Sequence, residues 1–445
     1  MFYNKLLENI ILPVGDKLVG GSFISELRFR RKEQWLSADE LFERQTHNLR
    51  SILQFSVEKI PFYKDIQFDS NADPRLELKK FPIMHKHVIR ENIDALVSVR
   101  KETLLREASS GSSGVQGFVY LDKAAQYSHR AIQILWWEWA GFKLGDHILQ
   151  TGMTTDRGFI KSAKDFLLNT KYIPAYKLDK AAILEVLMDL KKNPRKFMLG
   201  YASSLYVIAR LAEEIGIDDI YFEGVISWGD KMFAHFRKLI EKQFHTQVYD
   251  TYSCTEGIRI ASQCIDQKYH MMSTQNYIEL LDENGNEVRD GEMGFVVGTL
   301  FDNYAMPLVR YYIGDIAIKE KESEKCICGR NLPQLKTIIG RDTDIVKTRS
   351  GKYMIVHAFT GIFEHIPEIK QFRIVQKDLD SLEIEYIKDK GLTDKTLDYV
   401  KTKIQSYLNE NFPVNFIEVE VIPSTPSGKP QIIQSFLNQS QTVNT

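Results

Sequence analysis

The stretch Ser109-Ser110-Gly111-Ser112-Ser113-Gly114 decides how this chain is read. Its six residues carry two glycines and four hydroxyls, with no apolar side chain and no charge. Such a run cannot pack a core. It can present backbone N–H groups and hydroxyls to a multiply charged anion, because glycine lets the chain double back and lets the anion approach closely. The flanks, Thr103 to Ala108 and Gly117 to Tyr120, both have strand character, so the run reads as a turn between two strands. A flexible surface loop or linker fits the same six residues taken alone. A Walker-type phosphate loop is excluded: no Gly-Lys-Ser/Thr follows and no long helix opens there.

Working outward, 445 residues suffice for two or three domains and a large core. Hydrophobic content of 43% and charged content of 26% are ordinary for a soluble globular protein. A net charge of −1 gives no electrostatic footprint for nucleic acid. Ile10-Ile11-Leu12 is too short for a signal core and runs into Pro13 and Gly15. No apolar stretch approaches ~18–20 residues, so no transmembrane segment is expected. Four cysteines do not make a disulfide framework, and a reducing cytoplasm is the expected location.

Residues 1–100 read as helical and polar, with Ser37-Ala38-Asp39-Glu40 as a capping box ahead of Leu41 and Phe42. A helix is expected from about Lys123 to Phe142. Its Trp136, Trp137 and Trp139 read as buried rather than membrane-docking, because the flanks are not basic. Over 181–215 helices and short strands alternate; Leu205, Ile208, Ala209 and Ala212 repeat at helical spacing. Tyr221 to Ser227 and Gln247 to Tyr249 have strand character. The alternation predicts an α/β layer with a largely parallel sheet. From about 274, Tyr277 to Leu281, the turn Asp282 to Gly285 and Gly294 to Leu300 read as a β-rich subdomain. A polar, glycine-punctuated stretch at 340–352 reads as a hinge. Beyond it, strands at 372–376, 382–387 and 417–422 and an amphipathic helix near 393–410 make a small α+β lobe. The expected organisation is α/β: a large domain over 1–343, with its β-rich part at about 274–340, and a C-terminal lobe over 344–445.

Four further places carry chemistry. In Asp250-Thr251-Tyr252-Ser253-Cys254-Thr255-Glu256-Gly257, a strand-end loop offers Tyr252 for stacking, Thr255 for a phosphate and Glu256 for magnesium, a hard cation that takes few carboxylates. The plainer reading is an acidic loop with a core tyrosine. Asp315, behind Arg310-Tyr311-Tyr312-Ile313-Gly314, can accept two hydrogen bonds from ribose hydroxyls, or merely close a hairpin. Gly340-Arg341 would put a guanidinium near that ribose or the phosphates. Lys429, in Pro426-Ser427-Gly428-Lys429-Pro430, is a tail lysine of a kind usually exposed.

Taken in order, these motifs resemble the adenylate-forming enzymes, and within them the phenylacetate–CoA ligase family. Gly111 to Gly114, Ala305-Met306-Pro307-Leu308-Val309-Arg310-Tyr311 and Cys326-x-Cys328-Gly329-Arg330-x-Leu332-Pro333 carry the likeness, which runs from about Leu36 to Lys429. The resemblance implies that Ser109, Ser110, Gly111, Ser112, Ser113 and Gly114 hold the β- and γ-phosphates of ATP. It implies that Ser227-Trp228-Gly229-Asp230 borders adenine, that Tyr252 stacks on it, and that Ser253 lies in the same binding loop. Thr255 would touch the α-phosphate, Glu256 would hold Mg2+, and Asp315 with Arg341 would bind the ribose. Lys429, on a mobile lobe, would reach the substrate carboxylate and the α-phosphate. The expected reaction is ATP-dependent activation of a small carboxylic acid, followed by transfer to coenzyme A. Tyr201, Ser203 and Trp228 suggest a partly aromatic acid pocket. Two alternatives stay open: adenylyl or acyl transfer to a non-CoA acceptor in a coenzyme or surface-polysaccharide pathway, and a non-catalytic ATP-binding scaffold. A homodimer is a further expectation. The sequence departs from the family at Val115-Gln116-Gly117, at Ile313 and at Thr343. Finally, Cys264, His270, Cys326 and Cys328 sum to a tetrahedral structural-Zn2+ set, which some members of this branch resemble; buried thiols beside a surface histidine are the plainer reading.

Overall fold

A computed structural model describes residues 2–108, 118–152, 158–175, 180–321, 325–341, 345–363, 366, 368–423 and 432–437. The described chain divides into two compact units. The first takes the residues up to Ile313 and then Ala317–Thr337; the second takes Gly314–Ile316 and the chain from Ile338 onward. The α/β class expected from the alternation of elements is the one observed.

The two strands flanking the glycine-serine run are β1 (Leu105–Ala108) and β2 (Phe118–Leu121), which pair antiparallel with Ala108 opposite Phe118. The helix Lys123–Trp139 follows, capped by Asp122, whose carboxylate accepts from the Ala125 N–H at 2.7 Å. Its three tryptophans are buried. They join Leu7, Ile24, Leu27, Phe142 and Phe197 in one apolar cluster. Such a cluster is the non-directional driving force that seats the helix on the sheet.

The sheet is built from β3 (Ile148–Gly152), β4 (Thr170–Pro174), β5 (Phe197–Tyr201), β6 (Gly224–Trp228), β7 (Val248–Ser253), β8 (Arg259–Gln263), β9 (Tyr269–Met271), β10 (Asn276–Leu281), β11 (Met293–Leu300), β12 (Tyr311–Lys319) and β13 (Gln334–Arg341). Their order is β10-β11-β12-β13-β9-β8-β7-β6-β5-β3-β4. Strands β3 to β7 are parallel, with burial running almost without a break along β5 and β6, as expected of strands covered on both faces. The expected β-rich subdomain is not a separate sheet. Strand β8 turns back antiparallel on β7, and β9 on β8, so the strands from 274 onward extend the parallel block through continuous hydrogen bonding.

In the second unit β14 (Ile345–Lys347) and β15 (Tyr353–Ile355) form a hairpin that starts in the stretch expected to be a hinge and ends just beyond it. Beyond them β16 (Ile369–Gln376), β17 (Leu382–Lys388), β18 (Val414–Glu418) and β19 (Ile433–Ser435) make a sheet of order β18-β17-β16-β19. The helix Asp394–Leu408 buries Val400, Ile404 and Leu408 at helical spacing, as the apolar periodicity requires. Strand β18 starts earlier than expected: its register places Val414 opposite Leu382, and the apolar alternation at Ile417 and Val421 faces solvent.

Candidate functional site

Parallel strands end their side chains together, so the loops after β5, β6 and β7 converge at one edge, where open α/β sheets bind ligands. Ser227 pairs in register with Asp250. Its hydroxyl donates to the Asp250 carboxylate, which also accepts from the Tyr269 hydroxyl at 2.5 Å. Burial pushes the Asp250 carboxyl up, against the pull of these two donors and of Arg237. Thr251 donates to the Ser227 carbonyl at 2.8 Å, which locks the two strand ends to one another.

Gly229 follows at φ +78°, and a Cβ there would lie 2.4 Å from the Tyr201 ring. Only glycine fits both the left-handed backbone and that contact. Asp230 accepts from the Ser203 N–H at 3.1 Å. The structure therefore brings Tyr201, Ser203 and Ser227–Asp230 to one edge, where Trp228 stacks on Trp137 with ring centres 5.8 Å apart. Burial, with Asp230 and Tyr172 nearby, raises the Tyr201 phenol.

Tyr252 and Ser253 end β7, with Tyr252 opposite Ala261 and Ser253 opposite Arg259 across an irregular register. A tight turn then runs from Cys254 to Gly257, closed by the Gly257 N–H on the Cys254 carbonyl at 3.2 Å. Thr255 is exposed and Glu256 is buried. Glu256 accepts from the Tyr311 hydroxyl at 2.7 Å, and the Lys86 ammonium stands 3.7 Å from the same oxygen. Lys86 comes from far upstream because the Met84 N–H donates to the Arg310 carbonyl at 2.8 Å, laying that segment beside β12. Sequence reading missed Lys86 and Tyr311; only the pairing of residues 84 and 311 connects them to the turn.

Asp315 and Arg341 lie together in the second unit, 3.2 Å apart from carboxylate to guanidinium Nε. Ser109 to Gly114 and Lys429 lie outside the described residues, as do Val115-Gln116-Gly117 and Thr343.

The four thiol and imidazole residues do converge. One ligand atom from each of Cys264, His270, Cys326 and Cys328 lies within 4.8 Å of every other. The sulfurs of Cys264 and Cys326 are 3.5 Å apart, and the Cys328 sulfur is 3.3 Å from His270 Nε2. A tetrahedron with ~2.3 Å zinc–sulfur bonds has edges of about 3.8 Å, so the donor set fits that metal. His270 is buried, not at the surface. Its Nδ1 faces the Leu332 carbonyl at 3.2 Å, which leaves Nε2 for the cluster, as metal-bound histidines are ordinarily oriented. Trp139 packs edge-on against the imidazole, and its indole N–H donates to Gln34, which also accepts from Arg330.

Comparison with known structures decides the architecture. The chain superposes on 2-hydroxyisobutyryl-CoA ligase, solved in the postadenylation state with an acyl-AMP, at a TM-score of 0.69 and 17% identity, covering 93% of each chain. The fold is that of the adenylate-forming ligases. ATP-bound MatB from Rhodopseudomonas palustris shares this adenylate-forming ligase fold at a TM-score of 0.54 and 15% identity, over 78% of this chain and 69% of that one. Among relatives, Protein CapK of Staphylococcus aureus is 23% identical over 440 residues, 95% of this chain and 96% of its own length. A phenylacetate-coenzyme A ligase of Thermus thermophilus is 22% identical over 368 residues, 77% of this chain and 79% of its own. Residues 346–435 match the family described as the CapK C-terminal domain.

Proposed function

We propose that the protein activates a carboxylic acid with ATP and then passes the acyl group to coenzyme A. The observation that carries this reading is the closed turn 254–257, which holds a buried Glu256 against Tyr311 and Lys86 and follows the strand paired with Ser227. Relatives named phenylacetate-coenzyme A ligase, and a neighbour holding an acyl-AMP, support it.

In the first half-reaction a carboxylate oxygen attacks the α-phosphorus and the bond to the bridging oxygen of pyrophosphate breaks. In the second, the CoA thiol attacks the acyl carbon and AMP leaves. Both reacting partners of the first step are anions, so the site must supply positive charge and N–H donors where charge builds. Magnesium held by Glu256 would neutralise phosphate charge. Tyr252 stacks on adenine, the Ser227–Asp230 backbone borders it, and Thr255 donates to the α-phosphate. Asp315 accepts from the ribose hydroxyls with Arg341 beside it, Ser109–Gly114 hold the terminal phosphates, and Lys429 supplies the cation at the transferring group. Cys264, His270, Cys326 and Cys328 would hold a structural zinc. The need for ATP and CoA as substrates supports a cytoplasmic location.

The test is pyrophosphate release against a panel of aryl and short-chain acids, with and without CoA. Lys429→Ala is expected to lower the rate by about 10²–10³-fold, the effect of losing one charge-stabilising group, with thermal stability unchanged. Failure to bind ATP, together with no turnover on any acid, overturns the reading. A second reading is left open by the relative matching 95% of the chain and by the matched C-terminal segment, both named CapK, a name that specifies no acceptor. In it the adenylyl group itself is transferred, with loss of pyrophosphate, to an acceptor other than CoA. Mass spectrometry separates the two: AMP is released by a ligase and retained on the product of an adenylyl transfer.

A further inference from the structure

His129 is buried in the middle of the helix Lys123–Trp139, and nothing in the mechanism above uses it. Its Nε2 lies 3.3 Å from Asp302 Oδ1. The other carboxylate oxygen of Asp302 accepts from Ser128 at 2.5 Å and from Gln275 at 3.1 Å, with the Arg30 guanidinium 4.0 Å away. A half-buried carboxylate held by this many donors is a fixed post.

Both arms of that post reach the same glycine. On one side the His129 ring occupies the space where a Cβ on Gly257 would sit: that atom would be 2.4 Å from His129 Cε1, at a φ of +101° that favours glycine. On the other side Gln275, bonded to Asp302, donates to the Gly257 carbonyl at 3.5 Å and accepts from the Arg259 N–H at 3.0 Å. Arg259 closes the frame by donating to the Cys254 carbonyl at 3.3 Å. Gly257 immediately follows Glu256, so the height of this glycine sets where the carboxylate emerges.

We infer that His129, braced by Asp302, is a positioning residue for the turn that presents Thr255 and Glu256 to magnesium–ATP. This rests on the reading of Glu256 as the magnesium-holding carboxylate. Partners one step removed from a metal's own ligand are commonly worth a large factor in its affinity, because they fix the ligand's direction.

The experiment compares wild-type full-length chain with His129→Ala, His129→Gln and Gly257→Ala. Binding of ATP with magnesium is measured by calorimetry, and deuterium uptake is followed across residues 250–260. The expected result for His129→Ala is about tenfold weaker magnesium–ATP binding and faster exchange in the turn. His129→Gln should recover part of both, since its amide still reaches Asp302. Gly257→Ala should reproduce the loss from the opposite side, by driving the ring away, and it serves with His129→Gln if His129→Ala does not fold. Wild-type affinity or wild-type exchange in a folded His129→Ala or Gly257→Ala chain overturns the inference. Loosened exchange and weakened nucleotide binding in a chain that turns over no acid would uphold it while the ligase reading falls. A wild-type chain that does not bind magnesium–ATP overturns both.

Discussion

Arg310 and Glu279 form a bidentate pair, with guanidinium–carboxylate distances of 3.1 and 2.9 Å and almost no exposure on either side chain. Arg310 sits at φ +50°, held there by its N–H on Thr299 and its guanidinium on the Phe81 carbonyl. Burial drives the Glu279 carboxyl up against the pull of Arg310. Such a pair contributes little net stability, yet breaking it strands a buried charge. Glu279→Ala should therefore cost about 3–5 kcal/mol by urea denaturation; a loss of under about 1 kcal/mol, the range of exposed pairs, would contradict this. At this scale the sequence was only partly legible. Tyr252, Thr255 and Glu256 stand in one short motif with its own chemistry. His129 and Asp302 are single polar residues 173 positions apart, and no spacing rule links a helix interior to a distant loop.

Among elements, the helix Lys123–Trp139 matters most, since it carries His129 and Ser128 on one side and the buried tryptophans on others. Its start depends on Asp122, which satisfies one of the N–H groups a helix leaves open. Asp122→Ala should cost about 1 kcal/mol, seen as a lower thermal midpoint, and unchanged melting would show that tertiary packing alone sets this end. Strands β10 and β11 were legible from strand-favouring runs bounded by tight turns, although neither buries a single face in strict alternation. Strand β18 was misplaced because its neighbour β17, not its own period, decides which residues pair. The continuity of the large sheet was hidden for a similar reason. Hydrogen bonding between β13 and β9 joins residues more than sixty positions apart, with Gln334 opposite His270.

For the whole molecule, the thiol cluster gives the clearest test. The purified protein should contain about one zinc per chain, and Cys328→Ser should lower both the metal content and the melting temperature. Less than about a tenth of that stoichiometry, in protein never exposed to chelator, removes the metal. The residues were legible by type, but their convergence was not, because the pairs stand 62 and 58 positions apart in sequence. That separation has a consequence. The cysteines sit where a long excursion of the chain, through β10, β11 and β12, departs and where it comes home. A metal clasp across the two ends would make the excursion a closed detour, so hairpins along it could lengthen or drift in sequence without loosening the shelf on which the nucleotide would rest.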